Sequence, residues 1–428
     1  MKSNLEETIL GEICKFSAGN AFKPEFQGLS KGEIPFIKVS DFEINGNKFK
    51  IQNSQNWISK QLALDNRYTL HHKGSTVFAK IGIALTYNRR RLLIRDTAID
   101  NNLMSATGKI DKVDNLFLYY LLSDLDFNLI ASGSAIPYLT VSDLNAISVN
   151  LPSVNEQKAI AHILGSLDEK IELNQKMNQT LEDTVKVIFK SWFIDFDPVH
   201  AKVDGKPTGL TDEMSDLFPN EFENSEIGAI PKGWTVVTLD SLAEITMGQS
   251  PPGESYNDDG VGIAFYQGSS DFGFRFPKIR KFCSSPTRYA IENDVLLSVR
   301  APVGDINRAL EKCCIGRGLA SIRSTHGFPS WIFYRCQFFD NYFSTFNSEG
   351  TVFGSVSGKD LKLIKTINPT KPIVQLFENI ASDIDKSIKL KTLEIKKLTE
   401  LRDLLLPKLI SGEIQIPNAE KFLEEAGL

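Results

Sequence analysis

Two stretches of this chain place apolar residues at alternating four- and three-residue steps, and they are its most regular segments. The first runs Ile160, Leu164, Leu167, Ile171, Asn174, Asn178, Leu181, Val185, Ile188, Trp192; the second runs Phe377, Ala381, Ile384, Ile388, Lys391, Ile395, Leu398, Arg402, Leu405. Such steps trace the seam of a coiled coil. They predict two helices, over 153–193 and 370–412, each introduced by proline at Pro152 or at Pro369 and Pro372. About 40 residues of helix span roughly 60 Å, which makes each a spacer. The polar residues at mid-seam, Asn174, Asn178 and Lys391, weaken packing, and they either set the register or mark a face that another protein covers.

Outside the seams the pattern changes to short apolar runs bounded by Gly, Asn, Ser and Pro. Segments 34–39, 75–78 and 295–299 read as strands, and 115–122 and 330–338 as short aromatic-rich helices. The class is therefore α+β, and it occurs twice. Adding 217 carries Asp143-Leu144 onto Asp360-Leu361, Ile163 onto Ile380, Asp168 onto Asp385, Ile171 onto Ile388 and Leu181 onto Leu398. A repeat of this length is a whole domain with its helix. The expected organisation is a first head over 1–152, a central helix over 153–193, a linker over 194–226, a second head over 227–369, a distal helix over 370–412 and a tail over 413–428. Antiparallel packing of the two helices would set the heads at opposite ends.

Charge is partitioned along this plan. The chain carries a net −5, yet 194–226 holds two basic against nine acidic residues and 413–428 one against four, so the remainder is +5. Basic residues cluster at Arg89-Arg90-Arg91 with Arg95 after Tyr87, and at Arg275, Lys278, Arg280 and Lys281 among Phe274, Phe276 and Phe282. Basic groups beside aromatics suit phosphate and base contact. A solvated turn, or a strand with one buried face, produces the same pattern. The composition, 42% hydrophobic and 24% charged, is globular, and with no long apolar run or leader-like start it predicts a cytoplasmic protein that makes no membrane contact.

A catalytic constellation is missing from this pattern. Gly354-Ser355-Val356-Ser357-Gly358-Lys359-Asp360 has the wrong spacing for a phosphate loop, and Asn368-Pro369-Thr370 is a poor match to an adenine-methyltransferase motif. The five cysteines are scattered, which reads as buried reduced thiols, and His71-His72 reads as a surface turn. Neither a cofactor nor a metal is expected. Gly19, Gly248 and Gly304 read as tight turns. Two heads on a rigid spacer without chemistry point to recognition.

The chain resembles the DNA-specificity subunit of type I restriction-modification systems along nearly its whole length. The resemblance lies in Ile227-Gly228-Ala229-Ile230-Pro231-Lys232-Gly233-Trp234, in Met247-Gly248-Gln249-Ser250-Pro251-Pro252, and in Ser298 to Gly304 with Ile315 to Leu319. It extends to Ser191 to Pro198 at the end of the central helix and Leu406 to Ile414 at the end of the distal one. It implies two target-recognition domains, each reading half of a bipartite duplex DNA site, and an antiparallel coiled coil that docks two adenine-methyltransferase subunits. A translocating endonuclease subunit would join them. A specificity chain serving a fused restriction-methylation enzyme and a protein-binding coiled-coil scaffold are the other readings.

Arg and Lys read guanine edges, and Asn and Gln read adenine edges. That makes Lys80, Arg89, Arg90 and Arg91 the candidates in the first head and Gln249, Arg275, Arg300 and Arg317 those in the second. Trp192, Phe193, Asn174 and Lys391 are the candidates for methyltransferase docking. The first head departs from the second, with Lys80-Ile81-Gly82 where the second has its arginine pattern and Asn101-Asn102 where it has Arg317-Gly318. It is expected to read different bases.

Overall fold

The computed structural model describes residues 5–133, 135–347 and 354–427. Two long helices, α1 (Val154–Phe193) and α2 (Lys371–Ile410), match the two apolar seams. The chain divides into two compact units: Met1–Met177 with Lys391–Leu428, and Asn178–Leu390. Each unit thus takes one head, the near part of one long helix and the far part of the other.

In the first unit, strands Cys14–Ala18, Leu103–Gly108, Thr76–Ala79, Arg90–Leu93 and Lys50–Ile51 form one sheet in that order. A second sheet orders Trp57–Ile58, Ile34–Ile37, Thr97–Ile99 and Leu70–His71, its middle pair parallel. Glu6–Ile9 pairs antiparallel with Ser148–Leu151 just before α1. The core joins Phe16, Phe78, Phe117 and Leu121 to Ile160 and Leu164 of α1 and to Leu409 and Ile410 of α2. The start of α1 therefore packs on the end of α2, the antiparallel sense the repeat implied. Asp168 of α1 anchors this packing, accepting from the Tyr120 hydroxyl at 2.7 Å and from Arg402 Nη1 of α2 at 2.5 Å.

The second unit repeats the plan. Ala243–Met247, Leu319–Ser324, Val295–Ser298 and Ile306–Arg308 form one sheet, and Tyr256–Asn257, Lys281–Cys283, Ile263–Tyr266, Cys313–Ile315 and Tyr289–Ala290 the other. The correspondence reaches the caps. Thr140 with Asp143 and Ser357 with Asp360, 217 residues apart, close capping boxes on helices Val141–Asn145 and Gly358–Lys362. Trp192, Phe193, Phe189, Trp234, Trp331, Tyr334 and Phe377 fill the core beneath this head.

Segment 194–226, read as an irregular linker, carries helices Asp197–Val203 and Asp212–Ser215, and its strand Phe222–Ser225 pairs with Gly228–Pro231. Val199 and Phe218 enter the second core, and Lys202 Nζ donates to the Ser215 and Phe218 carbonyls at 3.0 and 2.7 Å. Helices of seven and four residues leave too little periodicity to be read from sequence.

His71, expected on a surface turn, is buried, with Nδ1 2.6 Å from Ser105 Oγ. Burial, and then the neighbouring His72, push its pKa from 6.5 down to about 4. The unfolded chain takes up this proton as pH falls through 6.5, while the folded chain stays neutral until about 4. Stability present at neutral pH is therefore lost across that window, by about 2 kcal/mol at pH 5. Urea unfolding of the first unit at pH 7 and pH 5 should show this loss in the wild type and a much smaller one in His71→Gln.

Candidate nucleic-acid interface

Four loops of the second head gather where four strands end. Strand Ala243–Met247 leaves its sheet at Gly248, whose N–H donates to the Leu319 carbonyl at 2.9 Å. Gln249 N–H donates to Ile315 at 3.1 Å, Gly316 N–H to Tyr266 at 2.8 Å and Val299 N–H to Gly318 at 2.9 Å. These backbone bonds tie four segments, around 249, 267, 300 and 317, into one surface. Its exposed side chains are Gln249, Gln267, Arg300 and Arg317, with Ser250 Oγ accepting from Gln267 Nε2 at 3.2 Å.

Two glycines make this approach possible. A Cβ on Gly248 would lie 2.1 Å from the Gly316 carbonyl oxygen, and one on Gly318 2.4 Å from that of Gln267. The glycines serve close packing of the loop backbones. Gly248→Ala must push the 249 and 316 segments apart. We expect it to weaken recognition by the second head at least about ten-fold, since a displaced bidentate contact loses roughly 1–3 kcal/mol. Thermal melting should show a folded chain while DNA titration shows the loss.

The first head builds the same framework. Gly19 N–H donates to Leu103, Asn20 to Ile99, Asp100 to Ile37 and Lys80 to Asn102, at 3.2, 2.9, 2.8 and 2.9 Å. Each bond has its counterpart in the second head. Asn20 thus stands for Gln249, Lys38 for Gln267, Asn101 for Arg317 and Ile81 for Arg300. The bridge pairs agree, Ile81 with Tyr138 and Arg300 with Ser355, and the last two partners are again 217 apart. Lys80 occupies the position of Val299, one residue inward from the tip.

Of the eight candidates for base contact, the structure brings Gln249, Arg300 and Arg317 together and sets Lys80 at the corresponding end of the first head. Arg89 is partly buried, paired with Glu43 and set over the Tyr87 ring. Arg90, Arg91 and Arg275 need correction, because they are buried. The Arg90 guanidinium lies 3.6 Å from the Phe127 ring centroid and donates to the Leu122 and Leu125 carbonyls, and burial pushes its pKa down to about 9. Arg91 donates to the Phe42 carbonyl at 3.3 Å, and burial lowers its pKa to about 10. Arg275 lies between Glu182 of α1 and Asp385 of α2. The basic cluster is thus largely a strand with one buried face.

Among the docking candidates, Trp192 and Phe193 are core residues of the second unit, Asn174 is fully buried and only Lys391 is partly exposed. The residues sequence reasoning missed are Gln267, Lys38, Asn20, Asn101 and Ile81. The sequence already sets Asn101 opposite Arg317 and Gly19-Asn20 opposite Gly248-Gln249, but the pairing of Lys38 with Gln267 and of Ile81 with Arg300 comes only from backbone bonding. A cavity of about 340 Å³ in the second unit lies beside the start of Ala243–Met247 and the end of Leu319–Ser324, lined by Leu242, Ser324, Trp331 and Val374. At the corresponding place in the first unit stands Gln157, 217 residues before Val374; the Gln157 side chain accepts from the Asp114 N–H and donates to the Lys112 and Pro152 carbonyls.

Two like frameworks with unlike exposed groups, carried on antiparallel helices, define a two-headed recognition protein. Among the described residues no group of His, Cys, Asp and Glu is arranged to hold a metal, and no helix is long and apolar enough to cross a membrane. Residues 2–183 match the family model of the type I restriction modification DNA specificity domain. A chain of Methanocaldococcus jannaschii described as the specificity subunit of type I restriction enzyme MjaX is 31% identical over 74% of this chain and 72% of its own length. The HindI specificity subunit of Haemophilus influenzae is 26% identical over 76% of this chain and 84% of its own. In fold, the chain resembles the S subunit of the type I system of M. genitalium, with a TM-score of 0.61 and 15% identity over 96% of each chain. The protein belongs to the specificity subunits of type I restriction-modification systems, and is a recognition subunit, not a catalytic one.

Proposed function

We propose that each head reads one half of a bipartite duplex DNA target through its four-segment loop end, and that the two long helices dock two adenine-methyltransferase subunits. A translocating endonuclease subunit joins this complex. The observation that carries the reading is the duplicated loop framework. The same backbone bonds present Gln249, Gln267, Arg300 and Arg317 in one head and Asn20, Lys38, Ile81 and Asn101 in the other. Amides and guanidinium groups suit adenine and guanine edges in the major groove, and a shared frame with exchanged groups suits two different half-sites.

Docking is better supported elsewhere than at the buried seam. Leu173 and Val187 of α1 are exposed, and so are Leu390 and Leu404 of α2, which lie 217 residues further on in each case. Large apolar residues exposed at repeated positions give the two helices equivalent points of contact, as two copies of one partner require. Val187→Asp together with Leu404→Asp should reduce association with the methyltransferase at least about ten-fold, because each buries a charge in an apolar contact. Sedimentation of the complex would measure it.

The deciding experiment maps modified adenines in DNA from cells that express this chain with its neighbouring methyltransferase, against cells with the methyltransferase alone. A split motif that requires this chain supports the reading. Absence of such a motif, with an active methyltransferase in complex with the chain, overturns it.

A further inference from the structure

At the tip of the first head, the position that holds Arg300 in the second holds Ile81, and more apolar groups gather beside it. The bridge between Ile81 and Tyr138 and the bond from Gly82 N–H to the Pro137 carbonyl at 2.8 Å bring segment 136–138 against the turn that continues into Ile83. Ile81 is 37% exposed, Ile83 75%, Ile136 62% and Tyr138 43%. Four large apolar side chains on adjoining segments form a patch of the kind that marks a contact surface. Exposed Asn101 and Asn102 and the partly exposed Lys80 lie at the same loop end, the last tied to Asn102 by its backbone N–H.

The patch is part of the surface that, in the second head, carries Gln249, Gln267, Arg300 and Arg317. Among the base edges of the major groove, the apolar group is the C5-methyl of thymine. We infer that Ile81, with Ile83, Ile136 and Tyr138 around it, makes the first head read a thymine C5-methyl group at the register where the second head presents Arg300. The inference rests on the proposed reading of DNA. It makes Ile81 a specificity-determining residue, and the flanking asparagines and Lys80 supply the polar contacts around the methyl.

The test uses the full chain in complex with its methyltransferase and a duplex bearing the mapped target. Thymines in the half read by the first head are replaced one at a time by deoxyuridine, which removes the methyl and leaves every hydrogen-bonding group. At least one replacement should weaken binding about four- to ten-fold, the effect of one buried methyl. The Ile81→Ala complex should bind the thymine and uracil duplexes alike. Equal binding of every uracil duplex by the wild type would overturn the inference. So would an Ile81→Ala chain that keeps the methyl discrimination but loses its methyltransferase, since the patch would then belong to a protein contact. Failure of the wild type to direct any split motif would instead strike the proposed function, so the two failures are distinguishable.

Discussion

Arg275→Met should lower the stability of the second unit by about 3–5 kcal/mol, the effect of removing one partner from a buried ion pair. The guanidinium donates to Glu182 of α1, to Asp385 of α2 and, at 2.9 Å, to the Tyr334 hydroxyl, while Arg308 also reaches Asp385. Burial alone would depress the Arg275 pKa, but the two carboxylates outweigh it, and the group is held well above its ordinary range. Methionine fills similar volume but leaves Glu182 without its cation. Adding Glu182→Leu should recover part of the loss, because it removes the orphaned charge. The measurement is the urea midpoint of the second unit in the single and double variants. A change below about 1 kcal/mol would mean that the cluster behaves as a solvated surface pair.

The largest functional effect is expected from exchanging residues 1–152 for the first head of another family member. One half of the methylated motif should be replaced outright and the other left unchanged, because each head holds its loop frame by its own backbone bonds. Correct specific sites are bound 10³- to 10⁷-fold more tightly than non-specific DNA, so methylation at the old motif should fall to background. Adenine mapping in cells reads the result. A change in both halves would contradict independent heads.

Much of this was legible in the chain itself. The seam spacing and the offset of 217 set out two long helices, their antiparallel sense and a duplicated α+β head, because helical periodicity and repetition are local or one-dimensional signals. Asp168 and Asp385 show both the reach and the limit of such signals. Their equivalence can be counted along the sequence, but Arg402 arrives at one from the far helix, and Arg275 and Arg308 at the other from the head.

Only the tertiary structure could decide which arginines face solvent. Arg90, Arg91 and Arg275 look like Arg300 and Arg317 in sequence, since a guanidinium set on a ring or between carboxylates leaves no periodic trace. The sequence set Lys80-Ile81-Gly82 against the arginine pattern of the second head but could not say which residue stands for Arg300, because loops of unequal length break the offset while the strand register that aligns them is set by long-range backbone hydrogen bonds. Sequence by itself determined the repeated architecture, through side-chain periodicity. The fold determined which side chains each copy exposes, because burial is a property of what packs against a residue from far along the chain.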